Sequence, residues 1–388
     1  MAESLSKNCE TLSVSGPRAR CRRDEAGEFT SPARGGQRPS PENRQSLSDF
    51  CSGSEEGAAA RIRERLAAAG IAAPLHADAV LIDLADDPPL GMSARAIAEE
   101  EAERVVAAVG AAMLATRAVR GVIAVRERSA ERAIQRALDT LDAGARSAKR
   151  AVAVVRVADV WPSIGIDRDL GLAGSWVLDG ERALDLEAAA FVRPRAARRI
   201  TVAGSVHRPS VVLGSPTVAE AVEAAGGALD LGWVALDGGA LGGRLADPDE
   251  TIRSPLLLVL PATHALVARA RTSVSDWLRR AASACEGCRA CSDVCPVLLD
   301  GGALVPHEAI LTLVSGRDDG TRLAAAASCE SCGVCDSVCP SALSPFALVG
   351  AVKARLPSTV AAAPRGPSHP DRRGRRMSVD LLRLRLGL

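Results

Sequence analysis

The chain reads as an α/β protein in three parts: an N-terminal α/β layer with a largely parallel sheet, a small α+β block, and an α-helical C-terminal module built on cysteines. Three observations predict this. Short apolar runs alternate with helical stretches across residues 58–198, the pattern of a parallel sheet with crossover helices. Residues 199–262 change texture to strands separated by glycine-rich turns. Residues 263–356 carry one cysteine spacing twice, between short helical stretches.

Taken in order, residues 1–57 are rich in Ser, Arg, Gly, Pro and Glu and lack apolar periodicity, so they read as a disordered tail. Cys9, Cys21 and Cys51 lie there without ligand spacing. Arg61 to Ala69 reads as an amphipathic helix stopped at Gly70. Ala79 to Leu84 is a buried strand, and Ser93 caps a long helix to about Leu114 with Glu99, Glu100 and Glu101 facing solvent. Gly121 to Val125, Ala130 to Leu141 and Ala151 to Val157 follow as strand, helix and strand. In the second block, Arg199 to Val206 and Pro209 to Leu213 are strands, and Thr217 caps a helix ending at Gly226 and Gly227. Trp233 to Leu236 is a strand running into the glycine-rich stretch Asp237 to Gly243. That stretch is not GxGxxG and opens no helix, so it reads as a tight turn rather than a phosphate cradle.

The cysteine module opens with a helix from Thr272 to Ala284. Its first motif is Cys285, Cys288, Cys291 and Cys295, followed by Pro296; its second is Cys329, Cys332, Cys335 and Cys339, followed by Pro340. The gaps in both are two, two and three residues, the spacing of bacterial two-cluster [4Fe–4S] proteins. A [4Fe–4S] cube needs four thiolates at its corners. A C-x2-C-x2-C loop wraps three, and the fourth cysteine serves the other cube. The spacing therefore assigns Cys285, Cys288, Cys291 and Cys339 to cluster 1, and Cys329, Cys332, Cys335 and Cys295 to cluster 2. Zinc is the alternative, since paired C-x2-C also builds four-sulfur zinc sites, but zinc leaves the third evenly spaced cysteine and the proline unexplained. Disulfide scaffolds belong to small secreted domains. Helices from Pro306 to about Val314 and from Ser344 to about Leu356 flank the second motif. Pro357 to Arg376 is a Pro- and Arg-rich linker before a short helix, Val379 to Leu386. Residues 361–388 hold seven Arg against two Asp, read as a solvated tail, with docking on an acidic partner or membrane surface as the alternative.

Composition excludes several classes. With 48 basic against 47 acidic residues there is no global attraction to nucleic acid, and four Trp, four Phe and no Tyr leave no stacking platform for bases. The longest apolar run, Val105 to Ala115, is too short to span a bilayer, and the N-terminus has no signal-peptide core. A cytoplasmic, reducing setting fits both these features and free cluster thiols. His76, His207, His264, His307 and His369 are scattered and read as surface or capping residues; His307, between the motifs, is a candidate hydrogen-bond donor near a cluster sulfur. No acid–base or nucleophile constellation stands out.

Four further strings carry a resemblance. VLDGERAL at Val177 to Leu184 resembles a V-x-N-x-E-T-L segment, with Glu181 and Leu184 retained and Asp179 in place of Asn. TVAGSVHRP at Thr201 to Pro209 resembles the opening of an SLBB domain, a β-grasp-like module. DGGALG at Asp237 to Gly242 resembles that domain's D-G-G-P-M-M-G turn, and RMSVDLLRLRLG at Arg376 to Gly387 resembles a tail ending in R-L-G-L. Together with the cysteines they span residues 58–388 and resemble the RnfC/PduS family. The resemblance implies a flavin/NADH-type α/β domain at 58–198, similar to the flavin subunit of complex I, an SLBB domain at 199–262, a two-cluster ferredoxin-type domain at 263–356, and a basic linker with a terminal helix at 357–388.

The departures fall on the flavin features. The family's G-A-G-G-A-G-F-P-T-H loop is reduced to Ala69 to His76 (AGIAAPLH), where only Pro74 and His76 echo it. Without the glycines, Cβ atoms block close backbone approach to a phosphate. N-G-x-E-x-E-P has become Asp83 to Pro88, with Asp86 and Asp87 as remnants, and Y-P-x-G-D-E has become Trp161 to Asp167. The expectation is an electron-transfer subunit with two [4Fe–4S] clusters, FMN being doubtful. A complete NADH- or flavin-dependent corrinoid or quinone reductase is the first alternative, and an assembly subunit with structural clusters the second. The resemblance implies a redox partner, either a flavoprotein or a complex at a membrane or in a microcompartment.

Overall fold

Six consecutive apolar-rich residues, AVLIDL, make β1 (Ala79–Leu84), and all six are buried. A strand buried on both faces belongs in a parallel sheet covered by helices. A computed structural model of the chain describes residues 55–140, 151–230, 232–316 and 320–388, and there β1 is joined by β2 (Arg120–Val125) and β3 (Val152–Arg156). Next come the two-residue β4 (Val160–Trp161) and then β5 (Trp176–Asp179). The first sheet runs β3-β2-β1-β5, every neighbour parallel, with Val80 level with Gly121 and Trp176. Val80, Ile82 and Leu84 face a core shared with Ile62, Leu66, Ile97, Val109 and Ile134 from the helices. Ala79 and Leu81 face a smaller core with Val122, Ala124, Ile166 and Leu172. Each such aliphatic side chain contributes about 1.5–3 kcal/mol on burial.

Several boundaries differ from the sequence expectation for local reasons. Residues 1–54, with Cys9, Cys21 and Cys51, lie outside the described residues, but the first helix begins at Glu55 rather than Arg61. The long helix from Ser93 is two helices, Ser93–Glu100 and Ala102–Thr116, broken at Glu101. Glu101 does not face solvent freely: its carboxylate takes Arg199 Nη2 at 2.6 Å, while Glu99 and Glu100 stay exposed. Ser93 is no cap; its hydroxyl is buried against Thr201 Oγ1 (3.0 Å) and the Pro255 carbonyl (3.2 Å), tying this helix to the next sheet. The helix Gly180–Ala190, unanticipated by periodicity, starts where Asp179 Oδ1 accepts the Arg182 N–H at 2.8 Å.

The second sheet contains β6 (Arg199–Gly204), β7 (Ser210–Leu213), β8 (Trp233–Asp237), β9 (Arg244–Ala246) and β10 (Leu256–Pro261). Its order is β7-β6-β10-β8-β9, with β6 and β10 parallel and the other pairs antiparallel. The central β10 was missed because LLLVL has no alternation to mark a strand. Thr217 caps the helix Val218–Ala224 as expected, in a reciprocal capping box with Glu220.

The expected helix from Thr272 to Ala284 starts two residues later, as Val274–Ala284, because Thr272 turns extended and Ser273 caps it; the helix Ala265–Arg271 before it was not anticipated. The tail corrects a larger expectation. It is not solvated: Arg372 and Met377 are buried, and β11 (Met377–Ser378) pairs antiparallel with β4. The helix Val379–Leu386 buries Leu382 and Leu386 against Leu241, Leu260 and Val334. All the described residues belong to one compact unit, and none of their helices is long and apolar enough to cross a membrane.

Candidate iron–sulfur centre

The two cysteine loops share one backbone. Cys285 closes the helix Val274–Ala284, and Gly287 (φ 66°) and Arg289 (φ 68°) then turn left-handed before Cys291. In the second loop, Ser331 (φ 55°) and Gly333 (φ 72°) occupy the equivalent places after Cys329. Left-handed residues alternating with right-handed ones turn successive N–H groups inward and make a concavity for an anion. At Arg289 and Ser331 this conformation costs about 1–3 kcal/mol, a strain kept where a site requires it. Cys295 leads into the helix Pro296–Leu299 with proline at its first turn; Cys339 ends the 3-10 turn Val334–Val338.

The glycine-rich turn after β8 explains how the second loop is held. A Cβ at Gly333 would lie 2.9 Å from the Leu241 backbone, and one at Gly242 would lie 2.6 Å from the Phe346 ring. The turn is a close-approach surface for a cysteine loop rather than a phosphate cradle. Its base is set by Asp237, whose buried carboxylate accepts the Arg253 and Ser254 N–H groups, both at 3.0 Å.

Burial dominates the electrostatics of the thiols, and neighbouring thiols add to it. Burial, then Cys339, Cys285 and Cys288, pushes Cys291 up to about 12. Burial, then Cys295 and Cys329, pushes Cys332 up to about 12. Cys295 rises to about 11, by burial foremost, with Cys329 adding to the rise. Cys335 rises well above the ordinary thiol range by burial, then Asp336, Cys332, Cys295 and Cys291. These thiols are neutral near pH 7 on their own, so the group they bind must supply compensating positive charge and release protons.

The surroundings of the thiols differ. Cys288 is exposed, whereas Cys295 is buried. The Trp161 indole N–H donates to the Cys332 carbonyl at 3.5 Å, and Lys353 Nζ donates to the Cys329 carbonyl. Asp336, beside Cys335, is buried and held by the Ser344 hydroxyl (2.6 Å) and the Phe346 N–H (2.8 Å); burial pushes its carboxyl up. Sequence reasoning missed Trp161, Lys353 and Asp336. Only Lys353 carried a signal, being one of three lysines among 48 basic residues. His307 does not reach a cysteine sulfur: its Nδ1 bonds Ser292 Oγ at 2.8 Å, and Ser292 Oγ also accepts the His307 N–H at 3.0 Å, so it anchors the residue after Cys291.

At the carboxyl edge of the parallel sheet, where open α/β sheets bind ligands, the chain supplies its own anions. Asp87 accepts the Ala94 and Arg95 N–H groups at 3.0 and 3.2 Å, filling the N-terminus of the helix Ser93–Glu100. Asp86 accepts the Ser163 N–H at 2.7 Å, and Asp83 accepts the Ala85 N–H at 2.9 Å and the Ser163 hydroxyl. Arg126 pairs with Asp159 at 3.2 Å. A cleft of about 900 Å³ opens beside this edge, between Met92, Arg126, Leu260 and Arg383. Leu75 and His76 of the shortened loop are exposed.

Burial and then Asp86 push Asp83 up to about 6 from 3.8. The native state thus binds more protons than the unfolded state between those values, and stability falls as pH rises through that window. Asp83→Asn is expected to remove this fall and to gain about 2–3 kcal/mol at pH 7.5. Thermal melts of both proteins from pH 4 to 8 check it; parallel profiles would rule Asp83 out as the titrating group.

Matched cysteine loops on an α/β chain define the class: a protein with a 4Fe-4S dicluster domain, and the family of that description matches residues 284–344. The chain is 32% identical to the cobalamin reductase PduS of Citrobacter freundii over 286 aligned residues, 63% of this chain and 60% of that protein. It is 31% identical to the cobalamin reductase PduS of Salmonella typhimurium over 277, again 63% and 60%. The matches thus cover about three fifths of the length of these curated relatives. Among solved structures, an NAD+-reducing [NiFe]-hydrogenase in the H2-reduced state aligns with a TM-score of 0.48 at 15% identity, covering 80% of this chain and 65% of that one.

Proposed function

We propose that the chain is the cluster-bearing electron-transfer member of a redox complex, with Cys285, Cys288, Cys291 and Cys339 holding one [4Fe–4S] cube and Cys329, Cys332, Cys335 and Cys295 the other. The observation that carries this is the repeated loop: both motifs have the same two-two-three spacing and the same left-handed turns, at Gly287 and Arg289 and at Ser331 and Gly333, within the stretch 284–344 that matches the dicluster family. Each cube, when bound, takes up and passes on one electron. The chain's own residues leave Cys288 of the first set exposed, keep all four cysteines of the second set half-buried or buried, and turn backbone N–H groups toward both. The mixed sheet β6–β10 with its one helix supports an SLBB-like, β-grasp-like domain at 199–262, between an α/β domain at 58–198 and the cluster domain at 263–356; 357–388 is the strap that joins them.

The partner in this reading is a protein that supplies or accepts electrons. Asp87 occupying the helix N-terminus at the sheet edge, together with the loss of glycines from Ala69 to His76, supports a chain without its own FMN. The relatives' name favours a second reading, a complete flavin-dependent corrinoid reductase. Iron, sulfide, zinc and flavin analysis of anaerobically purified protein separates them. The first reading expects about eight iron and eight sulfide per chain with no flavin released on denaturation. One FMN per chain would establish the second, and zinc in place of iron would remove both.

A further inference from the structure

The two sets of cysteines are not equally reachable. The second set is enclosed by the glycine turn at Leu241, by Trp161 and by the tail helix Val379–Leu386. The first set comes to the surface at Cys288. The helix Val274–Ala284 that ends on Cys285 exposes Val274 (42%) and Leu278 (38%), one turn apart on one face. Leu311 (38% exposed) sits against the same loop, since a Cβ on Gly287 would touch it at 3.7 Å. A small apolar surface therefore surrounds the one exposed cysteine of the described residues.

Its charges are arranged. Asp276 is engaged by Arg279 and by Ser273 (2.7 Å), Asp293 by Arg375 (3.3 Å) and Glu308 by Arg322 (3.6 Å). Arg280 and Arg289 make no ion pair among the described residues. Arg280 is held over the Trp277 ring at 5.2 Å, and Arg289 is exposed next to Cys288. Two exposed arginines thus flank the exposed loop, with Glu286 as the one carboxylate there that makes no ion pair among the described residues. Weak electron-transfer interfaces are small, below about 1,200 Å², with an apolar centre and arginine enriched. Opposite charge on the partner speeds encounter and fixes orientation.

We propose that this face is the electron port of the protein and that its occupant is a small one-electron carrier protein with an acidic rim. The inference rests on the two-cluster reading above and adds which set of cysteines faces the partner and which partner chemistry it accepts. In one exchange the reduced carrier would lose one electron to the cube that Cys285, Cys288, Cys291 and Cys339 would hold, and no atom or proton is transferred.

An acidic two-cluster ferredoxin is a suitable probe. The expected results are binding that weakens at least tenfold between 20 and 200 mM salt, and a further loss of at least tenfold in affinity and electron-exchange rate in Arg280→Glu/Arg289→Glu. Arg280→Glu alone, which lies outside the cysteine loop, should lose at least fivefold in affinity while its iron content and reduction by dithionite stay unchanged. The control is Arg132→Glu, an equal charge change on the exposed side of the helix Arg128–Asp139, which should bind the probe within twofold of wild type. Equal losses in Arg280→Glu and Arg132→Glu would reduce the effect to net charge and overturn the port, as would no binding by wild type at low salt. A change in oligomeric mass confined to Arg280→Glu would make the occupant a second copy and also overturn it. Low iron in the wild type would instead sink the cluster reading.

Discussion

Cys332→Ala is expected to lower iron from about eight to about four per chain, leaving one cube. Cys295→Ala should leave the same remaining cube, with the same EPR spectrum of the reduced protein, although Cys295 lies in the first motif. The ground is the crossed spacing of the two motifs, with Cys332 near enough to Cys295 to be raised by it and Cys291 raised by Cys339, Cys285 and Cys288. Cys288→Ala should leave the other cube and a different spectrum. If Cys295→Ala matches Cys288→Ala instead, each motif serves its own cube and the crossed assignment fails. Crossed ligation also predicts a stability effect. Either loss removes one of the two bridges between the motifs, but losing the second set also leaves the Trp161 and Lys353 hydrogen bonds ending on an unanchored loop, so its melting temperature should fall more than that of Cys288→Ala.

Arg372→Met is expected to cost about 3–5 kcal/mol in urea unfolding. Arg372 is 6% exposed; it pairs with Asp169 at 2.7 Å and with the fully buried Asp300 at 3.4 Å, and donates to the Ile164 and Gly165 carbonyls at 3.0 and 2.7 Å. Removing one partner of a buried pair strands the other charge, and that penalty exceeds what the pair contributed. Asp300 retains Arg365 at 2.7 Å and Arg168 at 3.8 Å, which places the effect toward the lower end. Arg373→Met is the comparison: Arg373 is exposed, with Asp169 at 3.6 Å, and its loss should cost at most about 1 kcal/mol. Equal costs would mean that the tail is not held by this network.

The residues that were legible are those whose signal is local. AVLIDL announced a buried strand, Thr217 with Glu220 announced a helix start, and the twin cysteine spacings announced their cofactor class. Errors fell where a distant partner overrode local preference. Glu101 broke a helix to reach Arg199, and Ser93 gave up capping to bind Thr201. The seven arginines of the tail looked like a solvated run because five of them find carboxylates, Asp169 and Asp300 foremost, that lie 65 or more residues away in the chain.

What the sequence by itself determined is the ligand chemistry: eight cysteines at a spacing that wraps three corners of a cube and leaves a fourth thiolate for its neighbour. That is a property of short loops, and short loops are encoded locally. What only the tertiary structure decided is the environment of each set: Cys288 open beside Arg280 and Arg289, and Cys332 closed beneath Trp161 with Leu241 packed on its loop. Burial and charge at a point in space come from every segment that packs there, and these segments come from opposite ends of the chain.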